Sequence, residues 1–312
     1  MITVQSLTYS YTKGQHVLED LSFHVPKGSL FGFLGANGSG KTTTIRLILG
    51  LCPPKSGHVL VKGVQMDSPS STIYKEIGAM IEQPSLYGHL TGEENLQLNA
   101  LYHGIGKESI DKTLSLVGLK HVAKKRAAAY SLGMKQRLGL ALSLLHNPEL
   151  IVLDEPLNGL DPKGIAEIRE LLLLLVKKEG RTLFMSSHLL GEVESTCDAI
   201  CVIDNGKKLF SGSIDELRRG LTGQATWRIE CDRPEYAMTL MDATVEAALA
   251  PTGDAFLVQT TDKKRIAELN KQLVQSGIGV YTLTPVERNL EELYIKHKWK
   301  LTGINPSFWQ NG

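Results

Sequence analysis

The chain lacks most of the features that would mark a special environment. Its 312 residues include only four cysteines, Cys52, Cys197, Cys201 and Cys231. No two are spaced C-x-x-C, which excludes the common zinc and redox motifs and points to reduced thiols. Charge is nearly balanced, with 34 Lys and Arg against 33 Asp and Glu, so electrostatics gives no reason to expect nucleic acid as a partner. No apolar run approaches the ~20 residues of a membrane-spanning helix; runs such as LLLLLV at 171–176 are far shorter. The opening MITVQSLTYSY alternates like a strand and has no basic n-region, so no secretory leader is expected. Internal repeats and low-complexity linkers are also missing. What remains is an ordinary globular composition, 42% hydrophobic and 21% charged, enough for one large domain or a domain with a smaller companion.

Periodicity supplies the organisation. Residues 1–25 read as two strands around a turn at Lys13-Gly14, and SLFGFL as a short buried strand followed by a glycine loop and the helix TTTIRLILGL. HVLVKG and IGAMIE read as strands, and from about 85 to 147 the pattern is helical. LIVLDEP, 150–156, is an almost continuous apolar run, as expected of a strand buried on both faces of a parallel sheet. A helix at 165–178, the strand TLFMSS, a helix near 189–196 and a hairpin at 199–212 follow, the hairpin turning at Asp204-Asn205-Gly206. This alternation predicts an α/β domain over 1–220 with a helical insertion. Beyond it, 221–312 reads β-α-β-β-α-β, a small α+β ferredoxin-like domain, then a helix NLEELYIKHKW and a polar tail.

Two motifs carry chemistry. Gly35, Gly40, Lys41 and Thr42 fit G-x-x-x-x-G-K-[ST] between a strand and a helix. Glycines let backbone N–H groups curl around phosphate oxygens, and the helix adds its positive N-terminal end. Lys41 would reach the β- and γ-phosphates, and the Thr42 hydroxyl would ligate Mg²⁺. At the end of LIVLDEP, Asp154 suits holding that Mg²⁺ and Glu155 suits activating the attacking water. Taken alone, the Asp-Glu pair could be a helix N-cap or a solvated turn; beside a phosphate loop it points to hydrolysis.

The stretch YSLGMKQRLGLALSLLHNPELIVLDEPLNGLDP, 130–162, resembles the signature-to-D-loop region of ATP-binding cassette (ABC) ATPases. Ser131 is a good N-cap for a helix from about Gly133 to His146, which makes a second anion site. The resemblance spans residues 1 to about 220 and implies a P-loop ABC ATPase fold, a mixed sheet core with a helical subdomain at about 85–147. It also implies head-to-tail pairing of two cassettes, with Ser131 and Gly133 of one closing on the γ-phosphate held by Lys41 of the other. Tyr130, Leu132 and Met134 depart from the usual L-S-G-G-Q. Carried over residue by residue, Tyr11 stacks on adenine, Asn37, Gly38, Ser39 and Thr43 complete the ATP-binding loop, Asp161 is the D-loop aspartate and His188 contacts the γ-phosphate. The Q-loop glutamine falls at Glu82 by counting, with Gln83 beside it; either oxygen could ligate the metal.

By the same resemblance the protein is expected to bind ATP with Mg²⁺ and to dock, by SLYGHLTGEENLQL, on a separately encoded integral-membrane permease at the cytoplasmic face of the membrane. The variant signature, IEQPSLYGHLTGEENL and the closing ERNLEELYIKH are similar to exporter cassettes of the bacitracin and lantibiotic resistance type. Two other readings stay open at this point. One is a soluble ABC-type ATPase with a non-membrane partner, although the chain has one cassette and no coiled-coil insertion. The other is a binding-only cassette, against which Glu155 and His188 both argue. The absence of N-K-x-D disfavours a GTPase. The basic C-terminal helix and Trp299, Phe308 and Trp309 could touch a membrane surface or simply pack.

Overall fold

The computed structural model describes residues 1–12, 14–66, 72–82, 84–222, 226–241, 247–250, 253–260 and 262–285. Lys13, Gln83, the expected helix at 289–299 and the aromatic tail residues lie outside them. The chain forms two compact units, Met1–Ile214 and Asp215–Gly312; the sequence expected the division near 220.

The first unit begins with β1 (Ile2–Tyr9), β2 (Leu18–Val25), β3 (Leu30–Leu34), α1 (Lys41–Ile48), β4 (Ser56–Val61), β5 (Val64–Gln65) and β6 (Ile77–Met80). Three helices follow, α2 (Gly92–His103), α3 (Lys107–Leu116) and α4 (Leu132–Leu144). It closes with β7 (Leu150–Leu153), α5 (Pro162–Lys177), β8 (Thr182–Ser187), α6 (Leu190–Thr196), β9 (Ala199–Asp204) and β10 (Lys207–Ser213). Two sheets result, a four-stranded one ordered β2-β1-β4-β5 and a six-stranded one ordered β10-β9-β3-β8-β7-β6. The first sheet is antiparallel throughout. In the second, β9, β3, β8, β7 and β6 run parallel and only β10 is antiparallel, so the sheet is mixed.

The apolar runs explain the sheet order. All of LIVL and LFGFL is buried, because β7 and β3 lie inside the sheet with neighbours on both edges and layers on both faces. Between the sheets sit four phenylalanine rings: Phe23 from β2 stacks at 5.9 Å on Phe31 from β3, and Phe31 at 5.9 Å on Phe184 from β8. Phe33 lies 5.3 Å from Phe23. The β9–β10 hairpin turns where expected, with Asn205 and Gly206 both at positive φ (46° and 75°), as a two-residue type I′ turn requires. On the opposite side, α4 packs hard on β6: a Cβ on Gly78 would stand 1.9 Å from the Ser143 carbonyl oxygen. Among the described residues all four cysteines are free, and burial pushes the Cys201 thiol up to about 12, so it is inert structural filling.

Parallel pairing puts four strand ends in one row. Met80, Leu153, Ser187 and Leu34 are the carboxyl ends of adjacent strands β6, β7, β8 and β3, with Met80 paired to Leu153 and Leu34 to Ser187. In an α/β sheet the crevice beyond those ends is where ligands bind.

α7 (Ile214–Thr222) leads into the second unit, which contains β11 (Thr226–Cys231), α8 (Pro234–Thr239), β12 (Ala247–Leu249), β13 (Ala255–Gln259), α9 (Lys263–Gln275) and β14 (Val280–Pro285). Its sheet is ordered β12-β13-β11-β14 with antiparallel neighbours, the strand order of a ferredoxin-like unit. Ile229, Phe256, Val258, Ile266, Leu269 and Leu273 form its own core.

Candidate nucleotide site

The loop between β3 and α1 is shaped by close approaches. Gly40 has φ 106° and a Cβ there would stand 2.6 Å from Leu18 Cδ2. A Cβ on Gly35 would stand 2.8 Å from the Ile203 carbonyl oxygen. Only glycine lets the backbone turn this tightly against its neighbours. Lys41 opens α1 with little exposure, 6%, and its Nζ donates to the Gly35 carbonyl at 2.8 Å and the Ala36 carbonyl at 3.3 Å. It also stands 3.2 Å from Glu155 Oε1. That oxygen has no hydrogen bond of good geometry, so the contact is one of charge rather than an aligned bond. The Ser39 hydroxyl, also buried, has no hydrogen-bond partner at all, a free polar atom in a loop built for polar cargo.

Asp154 is 1% exposed, and both its oxygens are occupied: Thr42 Oγ1 donates to Oδ2 at 2.8 Å and Ser186 Oγ to Oδ1 at 2.5 Å. Ser186 in turn accepts from the Glu155 backbone N–H at 2.9 Å, so one hydroxyl on β8 fixes both acidic residues after β7. Glu155 has φ 49°, a left-handed conformation that costs a non-glycine residue about 1–2 kcal/mol and aims its carboxylate across the turn. There His188 Nδ1 lies 2.9 Å from Glu155 Oε2. A carboxylate oxygen can only accept, so Nδ1 is the donor of this contact. Behind them Glu192 accepts from the Ser187 hydroxyl at 2.8 Å, while burial pushes its carboxyl up.

Thr42, Glu82, Leu132, Gln136, Asp154, Glu155, Asn158 and Gly159 line a cavity of about 340 Å³. The oxygen donors facing it suit a hard cation. Among the described residues no group of three or more His, Cys, Asp or Glu is placed to hold a metal ion. Glu82 also has positive φ, 56°, and Arg46 Nη2 donates to its Oε1 at 2.8 Å.

Other expected residues sit apart from this cluster. Tyr11 is more than half exposed, and its OH shares a hydrogen bond with Thr43 Oγ1 at 3.2 Å; its ring helps line a second cavity of about 400 Å³ with Tyr9, Ser10, Thr12, Pro53 and Lys55. Ser131 caps α4 by accepting from the Met134 N–H at 3.3 Å, so the helix starts at Leu132, one residue before the expected Gly133, and ends at Leu144. Asp161 caps α5 by accepting from the Gly164 N–H at 3.0 Å, and that helix runs from Pro162 rather than 165. Sequence reasoning missed Ser186, Arg46 and Gln136; the last, buried, donates to the Pro156 carbonyl at 2.9 Å and pins the acidic turn to α4.

Comparison with known proteins adds the family. The ABC transporter family matches residues 18–158. The bacitracin transport ATP-binding protein BcrA of Bacillus licheniformis is 39% identical over 298 residues, covering 95% of this chain and 96% of that protein. The lantibiotic transport ATP-binding protein SrtF of Streptococcus pyogenes is 39% identical over 215 residues, 69% of this chain and 92% of that protein. A solved ATP-binding subunit of an ABC transporter superposes with TM-score 0.63 at 32% identity, over 70% of this chain and 92% of that one. A dimeric cassette in a post-hydrolysis state with ADP and Pi shares the fold, at TM-score 0.63 and 24% identity over 69% of this chain and 99% of that one. Among the described residues no helix is long and apolar enough to cross a membrane.

Proposed function

The chain belongs to the ATP-binding subunits of ABC transporters and carries an ABC ATPase domain, and on that premise we propose that it hydrolyses ATP to drive a separately encoded membrane permease exporting a peptide antibiotic or similar amphipathic compound. The observation that carries the hydrolytic part is the convergence of Lys41, Glu155 and His188 within hydrogen-bonding or ion-pair range beside Thr42 and Asp154.

Each residue then has a task. The backbone N–H groups of the first turn of α1, from Lys41 on, take the phosphates, and Lys41 exchanges Glu155 for β- and γ-phosphate oxygens. Thr42 and Asp154, with Glu82 across the cavity, would hold Mg²⁺, which supplies charge neutralisation at the phosphates. Glu155, released from Lys41, orients and deprotonates the attacking water. His188 holds one carboxylate oxygen so that the other faces the water. Tyr11 offers its ring to the base.

Ser131, Gly133 and Asp161 lie at the starts of α4 and α5, and this reading uses them on the γ-phosphate of a second cassette, most simply a second copy. The export assignment is supported by likeness to BcrA over nearly the full chain. In a mild-detergent pull-down of tagged chain from native membranes, a stoichiometric partner with several membrane spans supports the transporter reading. A soluble dimer without one refutes it and favours a non-membrane ATPase.

A further inference from the structure

Arg46 joins two parts of the site that do not touch each other. It lies one turn beyond Thr42 on α1, so both residues lie on one side of the helix. Its Nη1 donates to the Tyr11 hydroxyl at 3.2 Å and its Nη2 to Glu82 Oε1 at 2.8 Å. Tyr11 OH in turn meets Thr43 Oγ1 at 3.2 Å. A single file of polar contacts therefore runs from Thr43 through the exposed ring of Tyr11 and the guanidinium to Glu82, which lines the cavity with Thr42, Asp154 and Glu155.

The chemistry of the two ends differs. Tyr11 is a ring with one polar tip, and that tip is where Arg46 holds it. Glu82 is a carboxylate on a left-handed backbone, φ 56°, which adds a negative charge to a cavity that already has two acidic residues. Arg46 is its partner, and a planar fork serves two acceptors at once in a way an ammonium does not.

We propose that Arg46 is a positioning residue that couples recognition of the nucleotide base at Tyr11 to engagement of the divalent cation at Glu82. This rests on the roles given above to those two residues. When a cation draws Glu82 away, the guanidinium is left with the Tyr11 hydroxyl alone and holds the ring more firmly for stacking. By reciprocity, a base seated on Tyr11 favours the cation by the same factor.

The test is equilibrium binding to the full-length chain, using ATP and inorganic tripolyphosphate, each with Mg²⁺ and with chelator. The ratio of the two dissociation constants isolates the base, and its change with Mg²⁺ isolates the coupling. The expected result is that Mg²⁺ raises the advantage of ATP over tripolyphosphate by about fivefold, the lower end of ordinary coupling between sites. Arg46→Gln should abolish that increase, and so should Tyr11→Phe, which keeps the ring and removes the hydroxyl. A merely structural arginine would weaken both ligands alike and leave the Mg²⁺ effect in place. An advantage that does not respond to Mg²⁺ in the wild type, or a response that survives both substitutions, overturns the coupling while leaving the phosphate loop intact. Failure to bind either ligand overturns the ATP reading itself, and the coupling with it.

Discussion

Lys41 Nζ stands 3.2 Å from Glu155 Oε1, so the two residues to which the proposed mechanism gives the phosphate and the water are paired with each other. On that mechanism the two tasks compete for one contact, and phosphate displaces the carboxylate first. Glu155→Gln removes the competitor. It is expected to tighten ATP binding by about three- to tenfold, roughly 1 kcal/mol, as read by calorimetric titration. Weaker binding in the variant would mean that the ion pair does not oppose the nucleotide.

Ser186 is the hydroxyl that orders the acidic turn, reaching both Asp154 Oδ1 and the Glu155 N–H. Ser186→Ala is nearly isosteric and leaves Asp154 held by the Thr42 hydroxyl alone. The expected loss is about 10- to 100-fold in apparent affinity for Mg²⁺, the usual effect of removing a group that orients a metal ligand. A Mg²⁺ titration of ATP hydrolysis measures it, and an unchanged midpoint would show that Thr42 alone orders Asp154.

Ser131 has one visible task and one proposed task, and the two separate by size. As the α4 cap, its loss in Ser131→Ala costs about 1 kcal/mol of stability, which thermal unfolding reads as a shift of roughly 2–4 °C. If it also contacts phosphate across a cassette pair, turnover falls by more than tenfold while ATP binding to one cassette persists. A small stability loss with normal turnover would confine the residue to capping.

Glu149 sits between Lys27 and Lys62 just before β7, and hydrogen bonds from Lys27 first and Lys62 second lower its carboxyl from 4.5 to about 2. Because the folded value is the lower one, the stabilisation is present above about pH 4.5 and is lost as pH falls toward 2. Unfolding temperatures of wild type and Glu149→Gln should therefore differ at neutral pH and converge in acid. A constant difference across that range would exclude the pair as its source.

The motifs were legible where local sequence and tertiary role coincide. The phosphate loop needs glycine at its tight approaches, β7 needs an unbroken apolar run because it is buried on both faces, and Asn205-Gly206 needs positive φ at both positions. The sequence placed these correctly, as well as the mixed sheet and the helical insertion. It did not show that β1, β2, β4 and β5 form a separate sheet, since pairing between distant strands leaves no local trace. Ser186 was hidden inside a buried strand, where a hydroxyl looks like packing. Arg46 looked like an ordinary basic residue in the last turn of a helix, and only the folded chain brings Tyr11 and Glu82 to it. Ser131 reads from sequence both as the cap of α4 and as a contact for a second cassette, and Asp161 as the D-loop aspartate; within one chain the visible work of both is capping.

The central claim is that Glu155 activates water at a phosphate bound by Lys41, and it is tested most directly by phosphate release from the full-length chain with Mg²⁺ and ATP. The account predicts measurable turnover in the wild type and a loss of at least about 100-fold in Glu155→Gln, the scale of a missing general base, with ATP still bound. Wild-type turnover in Glu155→Gln would contradict it.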